Sequence, residues 1–307
     1  MRFPKPLHVG DRVRMVAISG CLHVDQVPEE AEVCRERIAS LGFDVEMDPT
    51  CMKQFGYLSG TDEERADALN RAFQDDTVKA IWCLKGGWGV NRMLPYVDFD
   101  LIAAHPKPFV GFSDITSMHL ALQKKAGLVS FHGPMGTSHT MTQAAKASVV
   151  HALLGHPDAE FQDEPMACLK EGRAVAEVTG GNLSLCAAAL GPPYEIETRG
   201  RILFLEEIDE ATYAIDRYLS QLYLSGKLSG LAGLVFGGMT RCENEYPNSG
   251  FELAVILEHW AKKAGCPCAS GLLCGHIADN RTLLLGARYE LDAGAGTLKY
   301  METIKVC

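Results

Sequence analysis

No stretch of eighteen apolar residues runs through this sequence, so it offers no helix able to span a bilayer. The opening residues Met1 to Pro6 lack the apolar core of a secretory leader. Basic residues are outnumbered: 29 Lys and Arg stand against 39 Asp and Glu, a formal charge of −10 that argues against a nucleic-acid surface. Neither G-x-G-x-x-G nor G-x-x-x-x-G-K-[S/T] occurs, which removes the usual nucleotide-binding turns. The eleven cysteines form no C-x-x-C pair, and Cys266-Pro267-Cys268 is too tight for a zinc knuckle. Such scattered thiols suit reduced side chains in a cytoplasm. His132 and His139 find no third ligand at metal-binding spacing. The expectation is a cytoplasmic protein with no metal, no organic cofactor, and neither nucleic acid nor membrane as partner.

What is present is an ordinary globular balance, 47% hydrophobic and 22% charged, over 307 residues. That length exceeds what one core comfortably fills, so two domains are expected. Apolar runs at Arg14–Ile18, Phe43–Met47, Val78–Leu84 and Phe109–Phe112 read as strands. Between them lie helical patterns after Pro28, from Thr61 to Phe73 and around Met93-Leu94. Thr61-Asp62-Glu63-Glu64 has the form of a capping box. This alternation argues for a parallel sheet with helices on both faces, a flavodoxin-like N-terminal domain over 1–155. A linker over 156–172 and a smaller mixed α/β domain over 173–307 complete the expected layout. In the second half, strands are expected at Ala174–Val178, Ile202–Leu205, Leu231–Phe236, Thr282–Leu285 and Leu298–Met301, with a helix opening at Thr179-Gly180-Gly181-Asn182.

Ligands gather at the carboxyl ends of parallel strands, which groups the turns at Ser19-Gly20, Gly86-Gly87 and Gly111-Phe112-Ser113. Ser113 follows an apolar strand and precedes helical sequence, the setting of a nucleophile elbow, although Ile115 stands where G-x-S-x-G has its second glycine. Taken alone, these residues fit an ordinary strand–turn–helix with Ser113 or Asp114 as N-cap better than an elbow. A serine needs a base to take its proton and a third group to orient that base. Glu206 or Glu207, ending an apolar strand, and His276, after Leu273-Cys274-Gly275, could complete such a site; the glutamates could equally cap the next helix. Residue chemistry alone reaches an α/β enzyme with a possible serine hydrolase site.

The pattern of motifs resembles the LD-carboxypeptidases, a family that includes muramoyltetrapeptide carboxypeptidase and the microcin immunity peptidases. Tyr57 to Phe73, Ile81 to Gly89, Gly111 to Thr116, His132-Gly133-Pro134, Gly180 to Leu183, Ile202 to Glu206, Asp216-Arg217 and Gly275-His276 carry the likeness, in order, over nearly the whole chain. Lys85 and Trp88 stand where the family has arginine and tyrosine, Ala214 where it commonly has arginine, and the first turn lacks the usual proline. The resemblance implies an active site in a cleft between the two domains and a Ser113–His276–Glu206 triad. It further implies an oxyanion hole from the N–H groups of Asp114 and Gly87 or Gly86, with Trp88 and Asn182 as substrate contacts. The implied activity is that of a serine carboxypeptidase releasing D-alanine from murein tetrapeptides in cell-wall recycling, its partner a small muropeptide. An immunity-type peptidase acting on peptidyl- or aminoacyl-nucleotide antibiotics is the alternative, with Trp88 and the loop from Arg241 to Ser249 as the places to differ. A non-catalytic binding module is the third reading. A homodimer is expected, two-fold assemblies being the commonest.

Overall fold

Two sheets share one continuous apolar core. The computed structural model describes residues 1–23, 25–243 and 249–302. The first sheet contains β1 (Arg12–Val16), β2 (Asp44–Met47), β3 (Ala80–Cys83), β4 (Phe109–Gly111), β5 (Ser130–His132) and β11 (Leu283–Leu285), in the order β11-β5-β4-β3-β1-β2. All its pairings are parallel except β11 with β5. The helices α1 (Val27–Ala39), α2 (Asp62–Gln74), α3 (Val90–Met93), α4 (Phe99–Ala104), α5 (Thr116–Ala121) and α6 (Gln143–Leu153) lie in the crossovers and beyond β5. The capping box at Thr61 forms as expected, with Thr61 Oγ1 accepting from the Glu64 N–H and Glu64 Oε2 from the Thr61 N–H.

The second sheet contains β6 (Ala167–Lys170), β7 (Arg173–Asn182), β8 (Ile202–Ile208), β9 (Gly233–Thr240), β10 (Cys268–Ser270), β12 (Arg288–Asp292) and β13 (Thr297–Tyr300), ordered β13-β12-β7-β8-β9-β10-β6. Its centre, β7 to β10, is parallel and its edges antiparallel. The helices α7 (Leu183–Ala188), α8 (Thr212–Leu224) and α9 (Leu253–Ala264) connect these strands. The largest core cluster runs from Trp82, Val110 and Phe131 of the first sheet to Phe204, Val235 and Tyr289 of the second.

The division at 156–172 differs from the sequence reading. Residues 167–170 form β6 within the second sheet, and β11, from the C-terminal half, joins the first. β6 shows no alternation, and which sheet the expected strand at Thr282–Leu285 joins is a long-range pairing that periodicity does not report. β1 ends at Val16, two residues before the expected end, because the Ala17 N–H turns to Thr50 Oγ1 and its carbonyl accepts from Ser59 Oγ. Gly180 and Gly181 lie inside β7 rather than opening a helix, and β8 continues through both glutamates to Ile208.

Gly180 has φ +126° and a Cβ there would lie 1.9 Å from the Phe204 carbonyl oxygen. Parallel pairing of β7 with β8 therefore depends on a missing side chain. Gly191 has φ +98° with nothing within 4 Å. Chemical denaturation should show Gly180→Ala losing about 3 kcal/mol or more through strain plus overlap, and Gly191→Ala only about 1 kcal/mol through strain.

Candidate active site

The carboxyl ends of the two parallel arrays meet, and Ser113, Glu206 and His276 come together there. Ser113 follows β4 with φ +67°, one of three described non-glycine residues in the left-handed region. Gly86 lies directly beneath it: a Cβ on Gly86 would be 2.9 Å from the Ser113 Cβ. Glu206 is fully buried on β8. His276 sits on the loop from β10 to β11, with one end in each sheet.

His276 Nδ1 lies 2.7 Å from Glu206 Oε2, and the His276 backbone N–H donates to the same oxygen at 3.1 Å. A carboxylate can only accept, so Nδ1 carries the proton and Nε2 is left to accept from Ser113 Oγ at 3.0 Å. Burial lowers the pKa of the His276 imidazole, but the charge and hydrogen bond of Glu206 outweigh it and leave the group above its usual value. Close approach of the loop relies on glycines. A Cβ on Gly275 would be 2.6 Å from Glu206 Oε2, and one on Gly237 would be 2.5 Å from the Cys274 carbonyl oxygen. The register shifts here: Leu205 and Glu207 pair with Phe236 and Met239, so β9 bulges at Gly237-Gly238, and the Gly238 N–H donates to the Cys274 carbonyl at 2.9 Å.

Glu207 serves a different purpose. Its carboxylate accepts from Asn182 Nδ2 at 2.6 Å and from the Ser184 N–H at 2.8 Å, and burial raises its pKa. Asn182, expected to touch substrate, caps α7 through Oδ1 while its Nδ2 holds Glu207, and it is 3% exposed. This internal pairing gives the substrate expectation no support.

Asp114 contributes a feature that sequence reasoning missed. Its carboxylate is buried, which raises its pKa, and Oδ2 accepts from Ser19 Oγ at 2.5 Å and from the Val90 N–H at 3.0 Å. It thereby joins three turns, at Ser19-Gly20, Gly86–Gly89 and Ser113. The Gly20 N–H closes the same junction on the Gly86 carbonyl at 3.1 Å. The N–H groups of Gly86 and Gly87 donate to no acceptor among the described residues. Trp88, beside them, is 65% exposed and lies edge-on to Tyr57. Lys85 Nζ donates to the Cys21 carbonyl at 2.9 Å.

Behind Ser113, His276 and Glu206, His132 Nδ1 and Cys274 Sγ are 3.2 Å apart, and His119 bonds Ser130 Oγ and the Gly111 carbonyl. Burial lowers the His119 pKa to about 4 and that of His132 well below the usual value, so both are neutral core residues. No group of three or more His, Cys, Asp or Glu positioned to hold a metal occurs among the described residues. No described helix is long and apolar enough to cross a membrane. The loop singled out between Arg241 and Ser249 falls largely outside the described residues, at 244–248.

Comparison with known proteins identifies what the chain is similar to. The family description "LD-carboxypeptidase N-terminal domain" matches residues 13–133, and "LD-carboxypeptidase C-terminal domain" matches 175–291. A probable murein peptide carboxypeptidase of Bacillus subtilis is 36% identical, over 96% of this chain and 92% of the relative. A murein tetrapeptide carboxypeptidase of Pseudomonas aeruginosa is 30% identical, over 92% and 94% respectively. Among solved structures, muramoyltetrapeptide carboxypeptidase from Oxalobacter formigenes superposes with TM-score 0.81 at 27% identity, covering 94% of this chain and 97% of that one. An MccF-like protein from Bacillus anthracis gives TM-score 0.85 at 25% identity, covering 98% and 99%.

Were His276 to take the Ser113 proton, its imidazole would have to be neutral, and activity would rise as pH passes its pKa. The acid limb of a kcat/KM profile should therefore lie above pH 6.5, the ordinary histidine value. Removing the Glu206 charge in Glu206→Gln should move that limb to lower pH while reducing the plateau.

Proposed function

The chain belongs to the LD-carboxypeptidase family, and from that membership we propose that it hydrolyses the amide between an L-centre and a terminal D-amino acid, releasing D-alanine from murein tetrapeptides during cell-wall recycling. The observation that carries this reading is the series Ser113 Oγ, His276 and Glu206, joined at 3.0 and 2.7 Å. The likeness to murein tetrapeptide carboxypeptidase supports the substrate class.

In this mechanism His276 Nε2 takes the Ser113 proton as Oγ attacks the scissile carbonyl. Glu206 fixes the imidazole tautomer and stabilises its charged form. The oxyanion is received by the N–H groups of Asp114 and Gly87, each such donor worth about 3–4 kcal/mol. His276 then protonates the departing amine. A water molecule, deprotonated by the same imidazole, releases the acyl group and restores Ser113. The reaction is assigned to the cytoplasm, where thiols remain reduced; the ten described cysteines are all unpaired.

A second reading, cleavage of a peptidyl- or aminoacyl-nucleotide, is favoured by the exposed Trp88, available to stack on a base, and by the likeness to the MccF-like protein. Side-by-side assays separate the two. The wild type should release D-alanine from a murein tetrapeptide, and Ser113→Ala should lower kcat by about 10⁶. Turnover of the nucleotide conjugate alone would transfer the assignment to the second reading, and full activity in Ser113→Ala would remove the serine from the mechanism.

A further inference from the structure

Three described non-glycine residues hold positive φ: Ser113 at 67°, Asp209 at 58° and Arg241 at 53°. Strain of this kind persists where the surroundings enforce it, and it concentrates at functional sites. The first of the three is the proposed nucleophile. The other two face each other just beyond β8 and β9, where Arg241 Nη2 donates to Asp209 Oδ2 at 2.6 Å and Nε donates to Oδ1. Both side chains are more than half exposed, so as a stabilising pair they contribute little. Some other requirement must justify two strained backbones.

The surroundings supply one. Arg241 lines a pocket of about 330 Å³ together with His276, Phe112, Ser138 and Asn280. The preceding residue, Thr240, donates from Oγ1 to the His276 carbonyl at 2.6 Å, so a single strand end positions both Arg241 and the proposed base. Pairing with Asp209 uses the Nε edge of the guanidinium. Nη1 has no partner among the described residues, and the Nη1/Nη2 edge is a fork matched to a second carboxylate. Asn280 adds a second indication. It is 4% exposed, its Oδ1 accepts from the Gly275 N–H, and its Nδ2 is buried with no hydrogen-bond partner among the described residues.

A carboxypeptidase's leaving group carries its carboxylate one carbon from the amine that receives the proton. The cation that selects a free C-terminus therefore belongs beside the imidazole that delivers that proton. We propose that Arg241, braced by Asp209, binds the terminal carboxylate of the departing D-amino acid in the pocket beside His276, with the Asn280 amide as a second donor. This assignment rests on the carboxypeptidase reading and adds the element that makes cleavage exo rather than endo.

The test compares a murein tetrapeptide with its C-terminal carboxamide, in the wild type and in Arg241→Gln. The wild type should favour the free acid by about 100-fold in kcat/KM. Arg241→Gln should lose that factor on the acid, keep amide turnover within about threefold, and recover part of the preference as Arg241→Lys. Retained amide turnover shows that the variant is folded. Titration with D-alanine and D-alaninamide reads the same site without turnover: the wild type should bind the acid in preference to the amide, and Arg241→Gln should bind both alike. Absence of tetrapeptide turnover in the wild type defeats the functional reading, and the titration still decides the subsite. An unchanged acid-to-amide ratio in Arg241→Gln, or D-alanine binding equal to that of the wild type, overturns the proposal.

Discussion

A buried carboxylate facing one imidazole is the constraint on which this structure turns. Glu206 is fully buried, and its Oε2 accepts from both the ring and the backbone N–H of His276. A charge in that position is tolerable only while its partner is in place, since removing one member of a buried pair typically costs about 3–5 kcal/mol. The energetic demand of the carboxylate therefore holds the loop in the geometry that the proposed chemistry needs. Gly237, Gly238 and Gly275 remove the side chains that would otherwise keep the loop away.

Topology supplies the rest of the positioning. The His276 loop leaves the second sheet at β10 and enters the first at β11, which pairs with β5 next to β4, the strand that leads into Ser113. Ser113 and His276 are thus fixed through β4 and β11, which flank β5 in one sheet, while Glu206 arrives from the other. Thr116 Oγ1 accepts from the Asn182 N–H at 2.9 Å and fastens the two carboxyl edges together directly. With the series already joined at hydrogen-bond distance, reaction needs little reorganisation of the protein groups.

Much of this was legible in the sequence where a signal is local. The Thr61 capping box, the alternation of the first half and the strand–serine–helix junction at Ser113 each arise from neighbouring residues. Glu206 and Glu207 could not be separated by their own chemistry; the family resemblance chose Glu206, and the structure places it against His276 with Glu207 on Asn182. The short strands β6, β10 and β12 left no periodic trace. The crossing of β11 into the first sheet was invisible because it is a long-range pairing of three residues. The Asp114 junction and the strained Asp209–Arg241 pair share this difficulty, since their partners lie 95 and 32 residues apart.

The central claim is that Ser113 Oγ attacks a carbonyl whose oxygen lies between two backbone N–H groups, with His276 on the leaving-group side. A crystal structure of the protein reacted with a phosphonate analogue of the scissile bond tests it most directly. The account predicts a covalent bond from Ser113 Oγ to phosphorus, a phosphoryl oxygen within hydrogen-bond reach of the Asp114 and Gly87 nitrogens, and His276 Nε2 facing the departing group. An adduct on another residue, or a phosphoryl oxygen turned to solvent away from both nitrogens, would contradict it.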